Sequence, residues 1–548
     1  MAAFATRRAK GVVAAALLLC AIFFAIGYFF IPQAGVQEDE ALFATGIFPP
    51  LVGREFVEIG GELYPVMIMT YAGALKALVY LGIFSIFSPD VLSLRIPMLV
   101  AGTVTVYLFF VFFRMIMGSL GALLATAVLV VDPLFITLTV LDSGISTIQH
   151  FLMAAALPLF VQYHRTRRIA WLAAACFLCG LALWDKATFI WVIAGWGAGL
   201  VAVYRPELRT HLAVRPVTVA AFCLLLGALP VVCYMLAESS TASSGTGGLA
   251  APSAHKAVIL MKTLDGSSVF GFLTRDPGPN TAPAPHTNVE RASFWLSNAS
   301  GHIWHHLLLW ASILSALLIP LLKAGPGRRL MTFCVVAFAV GWAVMLPFAM
   351  GGGGSHHAIL LWPLPQMLVA AAACSLGGLL PRFRRAIAAG LVAPVAVSCI
   401  LVTNECYAQL TVFFGTPDHW SDASNPLLEW VLKTKPTSIY SLDWGIEGPL
   451  RYLGEGTLPL KDVSVLLSEA LPQVGRRDRI RAMLERPRRI FIYYVDRSRH
   501  APEKLEKLRD LAAQASLEEE SMTEVHDRRN RPVYRVVRFV AAQSGSRE

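Results

Sequence analysis

The sequence has little charge for its length, and this shortage excludes an ordinary soluble protein. Only 15% of its 548 residues are Asp, Glu, Lys or Arg, whereas 56% are hydrophobic and the mean hydropathy is +0.59. Soluble domains carry about 25% charged residues. The apolar excess lies in runs of about 20 residues, the length that crosses a bilayer, between Gly11 and Asn404. We therefore expect a polytopic membrane protein rather than a soluble, disordered or fibrous one.

The chain also lacks a disulfide framework and a uniformly basic surface. Eight of its nine cysteines fall inside apolar runs, the exception being Cys406, so packing is a better explanation than cross-linking. The net charge is +10, but the basic residues gather in short turns between apolar runs, as the orientation rule for membrane proteins predicts. Nucleic acid is therefore not an expected partner.

These basic turns set the predicted topology, with an uncleaved first helix, a cytoplasmic N-terminus and a C-terminal tail outside the cytoplasm. Placing every basic turn on the cytoplasmic side gives about eleven spans. They are Gly11–Ile31, Leu94–Phe113, Ala122–Leu141, Ile148–Tyr163, Ile169–Trp184, Ala187–Val203, Val217–Met235, Ile303–Leu322, Leu330–Met350, Ala358–Leu379 and Ala386–Val402.

The predicted membrane domain is 1–404, with an outer juxtamembrane segment at 32–93 and an outer loop at 237–301. Within the first of these, Val66–Phe87 is long enough to span but carries Lys76 at its centre, where insertion costs about 2.5–3.5 kcal/mol. We expect it to lie along the outer membrane surface, with a true span as the alternative.

The tail, 405–548, is charged and contains short β-branched or aromatic runs alternating with helical stretches. This pattern predicts a small extracytoplasmic α/β domain. The expected strands are Ser438–Leu442, Ile490–Val495 and Val533–Phe539. No phosphate-binding loop or metal-ligand spacing is found in the tail.

Acidic residues follow the first and third spans. Glu38-Asp39-Glu40 is either a reactive group at the membrane surface or a solvated turn, and Asp142 is either a functional acid or a helix cap. Asp185-Lys186 interrupts apolar sequence, which is costly unless the pair lines a wet cavity, although a tight turn with a snorkelling lysine is possible.

A glycine run late in the chain suggests an anion site. Gly351–Gly354 precedes His356 and His357 at the start of a predicted helix. Backbone N–H groups at a helix start bind anions, and histidines add donors. The alternative is a flexible turn with incidental histidines.

Taken in order, these motifs resemble the C-type membrane glycosyltransferase superfamily, in the branch of glycosyltransferase family 39 and the bacterial lipid A aminoarabinose transferases. The resemblance covers roughly 1–380. It rests on Asp39-Glu40-Ala41-Leu42-Phe43-Ala44, Tyr64-Pro65, Leu94-Arg95-Ile96-Pro97, Asp142, Lys186, His356-His357 and Pro363-Leu364-Pro365.

The resemblance implies a C-type glycosyltransferase fold in the bacterial inner membrane. It also implies transfer of a sugar from a polyprenyl-phosphate donor to an acceptor (protein, lipid or glycan) on the extracytoplasmic face. A single-step inverting displacement needs one base. Asp39 is the expected base, Glu40 is the second choice because the register is uncertain by one residue, and Asp142 is the expected orienting acid. The residues expected to hold the donor phosphate are Lys186, Arg95, His356, His357 and Lys76.

No firm cofactor is predicted. His356, His357 and an acid are a conceivable divalent-metal site, but two adjacent histidines at a helix start rarely both bind one ion. The alternative functions are a transporter or flippase for an anionic lipid-linked substrate, which usually shows repeated spans, and a non-catalytic assembly protein whose tail is a binding module.

Overall fold

The computed structural model describes residues 2–48, 51, 53–211, 213–240, 254–275, 285–348, 351–463, 476–495 and 502–542. Parts of the predicted outer loop, 241–253 and 276–284, lie outside the described residues. The chain divides into two compact units. The first comprises Met1–Gln33, Gly53–Gly82 and Leu92–Gly415, and the second Ala34–Val52, Ile83–Val91 and Thr416–Glu548.

Helices dominate the chain as far as residue 408. They are α1 Ala2–Phe30, α2 Glu38–Thr45, α3 Leu75–Phe84, α4 Val91–Leu129, α5 Pro133–Val140, α6 Thr147–Thr166, α7 Ile169–Asp185, α8 Phe189–Arg209, α9 Val214–Ser240, α10 Ala254–Leu264, α11 Asn288–Ser300, α12 Leu308–Leu318, α13 Pro326–Met345, α14 Ser355–Ala358, α15 Leu364–Gly377 and α16 Arg384–Ala408. A π-helix, Gln409–Phe413, follows α16. Between α2 and α3 lie three strands, β1 Glu55–Ile59, β2 Glu62–Met69 and β3 Ala72–Gly73, which form an antiparallel sheet.

The apolar runs of the sequence form these helices. Six helices of the described chain are long and apolar enough to cross a membrane, and the bent pair Ser355–Leu361 and Leu364–Gly377 raises the count to seven if it forms one span. The chain is a multi-pass membrane protein.

Helix α4 covers the predicted span Leu94–Phe113 and the first part of the predicted span Ala122–Leu141. Its 39 residues would measure about 58 Å, nearly twice the thickness of the hydrocarbon core. The helical conformation breaks at Gly118, where φ is 73° and ψ is 179°. Glycine is required there because other residues rarely adopt positive φ. The break comes four residues after Arg114, the basic residue of the predicted turn.

The segment Val66–Phe87 contains no helix long enough to span. Its first residues complete β2, which turns back through β3, and only Leu75–Phe84 is helical. Ten residues of helix measure about 15 Å, half of the hydrocarbon core. The geometry fits a segment outside the bundle of spans better than a crossing.

Close helix contacts in the first unit depend on small residues. A Cβ atom at Gly180 of α7 would lie 2.2 Å from the Leu224 carbonyl oxygen of α9. A Cβ at Gly227 of α9 would lie 2.4 Å from the Phe177 carbonyl oxygen of α7. Small residues at such positions let the backbones of membrane helices approach each other.

The second unit contains a five-stranded mixed sheet. Its elements are α17 Ser424–Thr434, β4 Ser438–Ser441, α18 Glu447–Leu453, β5 Leu460–Asp462, α19 Arg476–Leu484, β6 Arg489–Tyr494, α20 Pro502–Gln514, β7 Leu517–His526 and β8 Pro532–Ala541. The strand order is β5-β4-β6-β8-β7, parallel among the first three and antiparallel beyond β6. Strand β6 is buried along its whole length, and its alternate residues enter two separate apolar cores. Helices therefore cover both faces of the sheet.

Candidate functional site

The turn between α5 and α6, Asp142 to Ser146, is the centre of the candidate site in the first unit. The Asp142 Oδ1 atom accepts hydrogen bonds from the backbone N–H groups of Ser146 and Thr147, both at 2.9 Å. Asp142 and Ile145 both have φ of 43°, an uncommon conformation for residues other than glycine. The carboxylate therefore fixes the turn and caps the start of α6, as the cap interpretation of Asp142 predicts.

Lys76 pairs with this carboxylate. Its Nζ atom lies 3.0 Å from Asp142 Oδ2 and 3.3 Å from the Asp142 carbonyl oxygen, and both side chains are almost completely buried. Asp142, which follows the third predicted span, thus neutralises Lys76. The charge of Lys76 is what makes a transmembrane placement of α3 costly.

Lys186 reaches the same turn from the end of α7. Its Nζ atom donates a hydrogen bond to the Gly144 carbonyl oxygen at 2.7 Å, and its side chain is 3% exposed. The backbone around it is held by Gln149 Nε2, which donates to the Lys186 carbonyl at 2.9 Å, and by Ala187 N–H, which donates to the Tyr71 carbonyl at 2.9 Å. Asp142, Lys76 and Lys186 therefore meet at one turn.

His356 and His357 pack against this turn from α14. A Cβ atom at Gly144 would lie 2.2 Å from the His356 Cβ, so only glycine fits there. The two imidazole rings lie 4.2 Å apart, and the ring of His357 meets Trp191 edge to face. The site thus contains four of the five residues predicted for the donor phosphate.

A histidine that the sequence reasoning missed, His150, ties α14 to the turn. Its Nδ1 atom lies 2.9 Å from the Ser146 carbonyl oxygen and its Nε2 atom 2.9 Å from the Ile359 carbonyl oxygen. The sequence offered one signal for this role: His150 lies one helical turn after Ser146, within reach of its carbonyl oxygen.

Asp185 is buried beside Lys186. It is 1% exposed, and neither carboxylate oxygen has a hydrogen-bond partner among the residues that the structure describes. Asp142, Lys186 and Lys76 all interact with it electrostatically. A buried carboxylate without donors is unfavourable, so such residues concentrate at functional sites.

Arg95, the fifth predicted phosphate ligand, is fully buried near the start of α4. Its Nη1 atom donates to the Ile31 carbonyl oxygen at 2.6 Å, which joins the beginning of α4 to the end of α1.

Asp39 and Glu40 belong to the second unit, where the structure distinguishes the three acids of the triplet. Glu40 is buried and forms a capping box with Gln37, whose side chain accepts from the N–H groups of Asp39 and Glu40. Glu38 Oε2 accepts from the Gly448 N–H group at 2.8 Å, which joins α2 to α18. Asp39 is half-buried in the first turn of α2. Glu38 and Glu40 therefore have local structural roles, whereas Asp39 retains some exposure.

Burial raises the pKa of Glu38 to about 7, and the carboxylates of Glu447 and Asp39 add to the rise. The Gly448 N–H group and the Arg451 guanidinium act in the opposite direction. Glu38 therefore titrates near neutral pH.

Asp132 is a second residue that the sequence reasoning missed. Its Oδ1 atom accepts from Leu134 N–H and Phe135 N–H at the start of α5, and its Oδ2 atom from Trp362 Nε1 at 2.8 Å and Gln366 Nε2 at 3.1 Å. Four donors satisfy this buried acid completely. The sequence signal was Asp132-Pro133, an N-cap followed by proline at the first helical position.

No group of three His, Cys, Asp or Glu side chains in the described part of the chain is arranged to hold a metal ion. The rings of His356 and His357 are tilted by 57° to each other, with their centroids 4.2 Å apart.

The chain was compared with known proteins. The family model of dolichyl-phosphate-mannose-protein mannosyltransferases matches residues 75–234, the segment that contains Lys76, Arg95, Asp142 and Lys186. No curated protein sequence matches. Among solved structures, ArnT from Cupriavidus metallidurans bound to undecaprenyl phosphate superposes with a TM-score of 0.55 at 12% identity, over 97% of this chain and 98% of that one.

The archaeal oligosaccharyltransferase AglB from Archaeoglobus fulgidus, in complex with an inhibitory peptide and a dolichol-phosphate, is also similar in fold. It has a TM-score of 0.50 at 10% identity and covers 98% of this chain and 75% of its own. The chain has the C-type glycosyltransferase fold. The resemblance inferred from the acidic motif and the residues that follow it is thereby confirmed.

We predict that Glu38→Gln changes the pH dependence of unfolding. Because its pKa is raised when folded, to about 7 from 4.5, Glu38 favours the folded state fully below about pH 4.5 and loses this contribution as the pH rises through 7. Glutamine keeps an acceptor for Gly448 and does not titrate. The difference in melting temperature, wild type minus Glu38→Gln, should therefore be more positive at pH 5 than at pH 8. Equal differences at both pH values would contradict the titration.

Proposed function

We propose that this protein is an integral membrane glycosyltransferase that transfers a sugar from a polyprenyl-phosphate donor to an acceptor on the extracytoplasmic face, with inversion at the anomeric carbon. The observation that carries the proposal is the family-model match at 75–234, since this segment supplies the lysines and the acid that meet at the Asp142 turn. Similarity of fold to ArnT over nearly the whole chain supports the same donor class.

In this mechanism Asp39 is the base. The acceptor hydroxyl oxygen attacks the anomeric carbon, its proton passes to the Asp39 carboxylate, and the bond between the anomeric carbon and the phosphate oxygen breaks. The electron pair of that bond stays on the departing lipid phosphate. Glu40 is a poor base because it already forms the capping box of α2.

The departing phosphate gains negative charge and requires cations. Lys76 pairs with Asp142, and we assign the phosphate to Lys186, which reaches the same turn from the end of α7. The Lys186 ammonium group donates a hydrogen bond to the Gly144 carbonyl oxygen, which fixes its position at the turn. Fixed positive groups in a dry site stabilise developing charge strongly because they need no reorganisation. We assign supporting roles to Lys76, Arg95, His356 and His357, and an orienting role to Asp142.

A small apolar cavity of about 40 Å³ does not enclose an isoprene unit, but its apolar lining offers a surface for the start of the donor's lipid chain. It begins close to the site in sequence, since Val192 follows Lys186 by six residues and Leu360 follows His357 by three. The cavity is lined by Phe112, Leu157, Val192, Trp196, Phe333, Ala337, Leu360, Leu361, Trp362, Pro363, Leu364 and Met367.

We further propose eleven crossings in a bacterial inner membrane, with residues 1–404 as the membrane domain and 405–548 as an extracytoplasmic α/β domain. Eleven crossings arise if the two parts of α4 span separately, the second together with α5, and if α6, α7 and α12 also cross.

We predict that Asp39→Asn lowers the transfer rate about 100-fold or more, the usual range for loss of a general base, and leaves the melting temperature unchanged. Transfer would be measured with a polyprenyl-phosphate sugar and purified protein. Glu40→Gln is the matched control: glutamine keeps an acceptor for the Gln37 N–H group, so the melting temperature should change little and transfer should fall less than in Asp39→Asn. Near wild-type transfer by Asp39→Asn would exclude Asp39 as the base.

We predict that Lys186→Ala weakens the thermal stabilisation given by added polyprenyl phosphate, whereas Lys186→Arg keeps part of it. A ligand at a hundredfold excess over its dissociation constant stabilises by about 2.7 kcal/mol. Asp185→Asn is the matched control on the neighbouring residue: removing a negative charge beside Lys186 should preserve or increase the stabilisation. An equal loss in all three variants would show that Lys186 is structural.

We predict that the C-terminal tail, residues 405–548, and the basic turns lie on opposite sides of the membrane. In intact cells, a cysteine replacing the exposed Lys504 should react with an impermeant thiol reagent, and one replacing the exposed Thr166 should be protected. Reaction at Thr166 with protection at Lys504 would invert the topology and refute the placement of the active site.

A further inference from the structure

Helix α11, Asn288–Ser300, is an independently capped helix in the outer part of the first unit. Thr287 and Glu290 form a capping box at its start, and Gly301 ends it in the left-handed conformation. Its buried residues are two serines, Ser293 and Ser297. A helix on a water-exposed surface normally buries an apolar stripe. Helix α11 instead buries a polar face.

The buried serines bond to the outer end of α16. Ser293 Oγ donates to the Asn404 carbonyl oxygen at 3.3 Å, and Asn404 Nδ2 donates to the Ser293 carbonyl at 3.1 Å. Ser297 Oγ donates to Glu405 Oε2, and His302 Nδ1 lies 3.1 Å from Glu405 Oε1. Glu405 is fully buried. These bonds satisfy the polar groups that the contact buries.

The same bonds show that α11 crosses α16. Ser293 and Ser297 are separated by about 6 Å along α11, and His302 lies further on, yet all three contact the adjacent residues 404 and 405. A helix running alongside α16 would contact residues one turn apart. Because the predicted span of α16 ends at Val402, these contacts lie just beyond the predicted end of that span.

The opposite face of α11 is divided lengthwise. An apolar strip is formed by Val289, Ala292, Leu296 and Ala299, which share one side of the helix at spacings of three and four. Arg291 and Asn298 form an exposed polar strip on the other side. Trp295 lies between the two strips and is 70% exposed.

We propose that α11 lies in the outer water–lipid interface, with Trp295 at the headgroup level and the apolar strip against the acyl chains. Tryptophan is enriched at this boundary because its ring is apolar and its N–H group is polar. Continuity with α12 favours lipid over a protein partner. This helix begins eight residues after α11 and exposes Trp310, Leu314 and Leu317 by more than 60% each, as a lipid-facing surface does.

The test is depth-dependent fluorescence quenching in vesicles of phosphatidylethanolamine and phosphatidylglycerol that contain brominated phosphatidylcholine. The full-length wild type and Trp295→Phe are reconstituted in parallel, and their difference gives the emission of Trp295. We expect loss of most of this emission with bromines near the carbonyl end of the acyl chains, a smaller loss with bromines near the methyl end, and little loss with aqueous iodide.

Two variants provide matched controls. The emission lost in Trp310→Phe should be quenched by the brominated lipids, because Trp310 is on the lipid-facing surface of α12. Asn298→Trp in the Trp295→Phe background moves the indole to the polar strip, and iodide should quench it.

The proposal does not depend on the transferase activity. Quenching of Trp295 by iodide to the same extent as the Asn298→Trp indole would show that α11 faces water. Protection of Trp295 from both reagents would show that protein covers it. Either result would overturn the proposal.

Discussion

A charged side chain is stable inside an apolar bundle only where another part of the chain brings it a partner, and the Lys76–Asp142 pair is where this constraint acts most strongly. Removing one member of a buried pair typically costs about 3–5 kcal/mol, because the other charge is left uncompensated. The same Asp142 carboxylate also fixes the turn onto which Lys186 and His356 pack. The arrangement of α3, α6, α7 and α14 therefore depends on this one contact.

The turn also explains how the first unit holds two buried lysine side chains. Positive φ at Asp142 and Ile145 presents carbonyl oxygens of the turn to two lysines, and Gly144 leaves room for His356. The turn's own carbonyl oxygens thus fix the positions of the ammonium groups. For a reaction that creates a phosphate anion, such preorganisation is the main contribution a protein can make.

Much of this architecture could be predicted from the sequence, because run length and basic turns depend on local composition. The meeting of Lys76 with Asp142 could not, since 66 residues separate them and neither has a local signature of its partner. Strand β7 was missed because Glu518, Glu519 and Glu520 hide the alternation expected of a strand; β7 is an edge strand, where charged residues are tolerated. The different roles of Glu38, Asp39 and Glu40 could not be predicted either. They depend on contacts with Gln37 and Gly448, and Gly448 is far away in the sequence.

The hydrogen-bond donors around two buried acids, Asp132 and Glu405, identify them as structural carboxylates. Asp132 accepts four hydrogen bonds, and Glu405 is held by Ser297, His302 and Gln409, so neither is suited to exchanging a proton with a substrate. Asp142 receives two N–H groups and an ammonium group, which suits an acid that orients others. Asp39 keeps some exposure to solvent, as a group that must meet an acceptor hydroxyl requires. Partial exposure therefore favours Asp39 over the buried Glu40 as the proposed base.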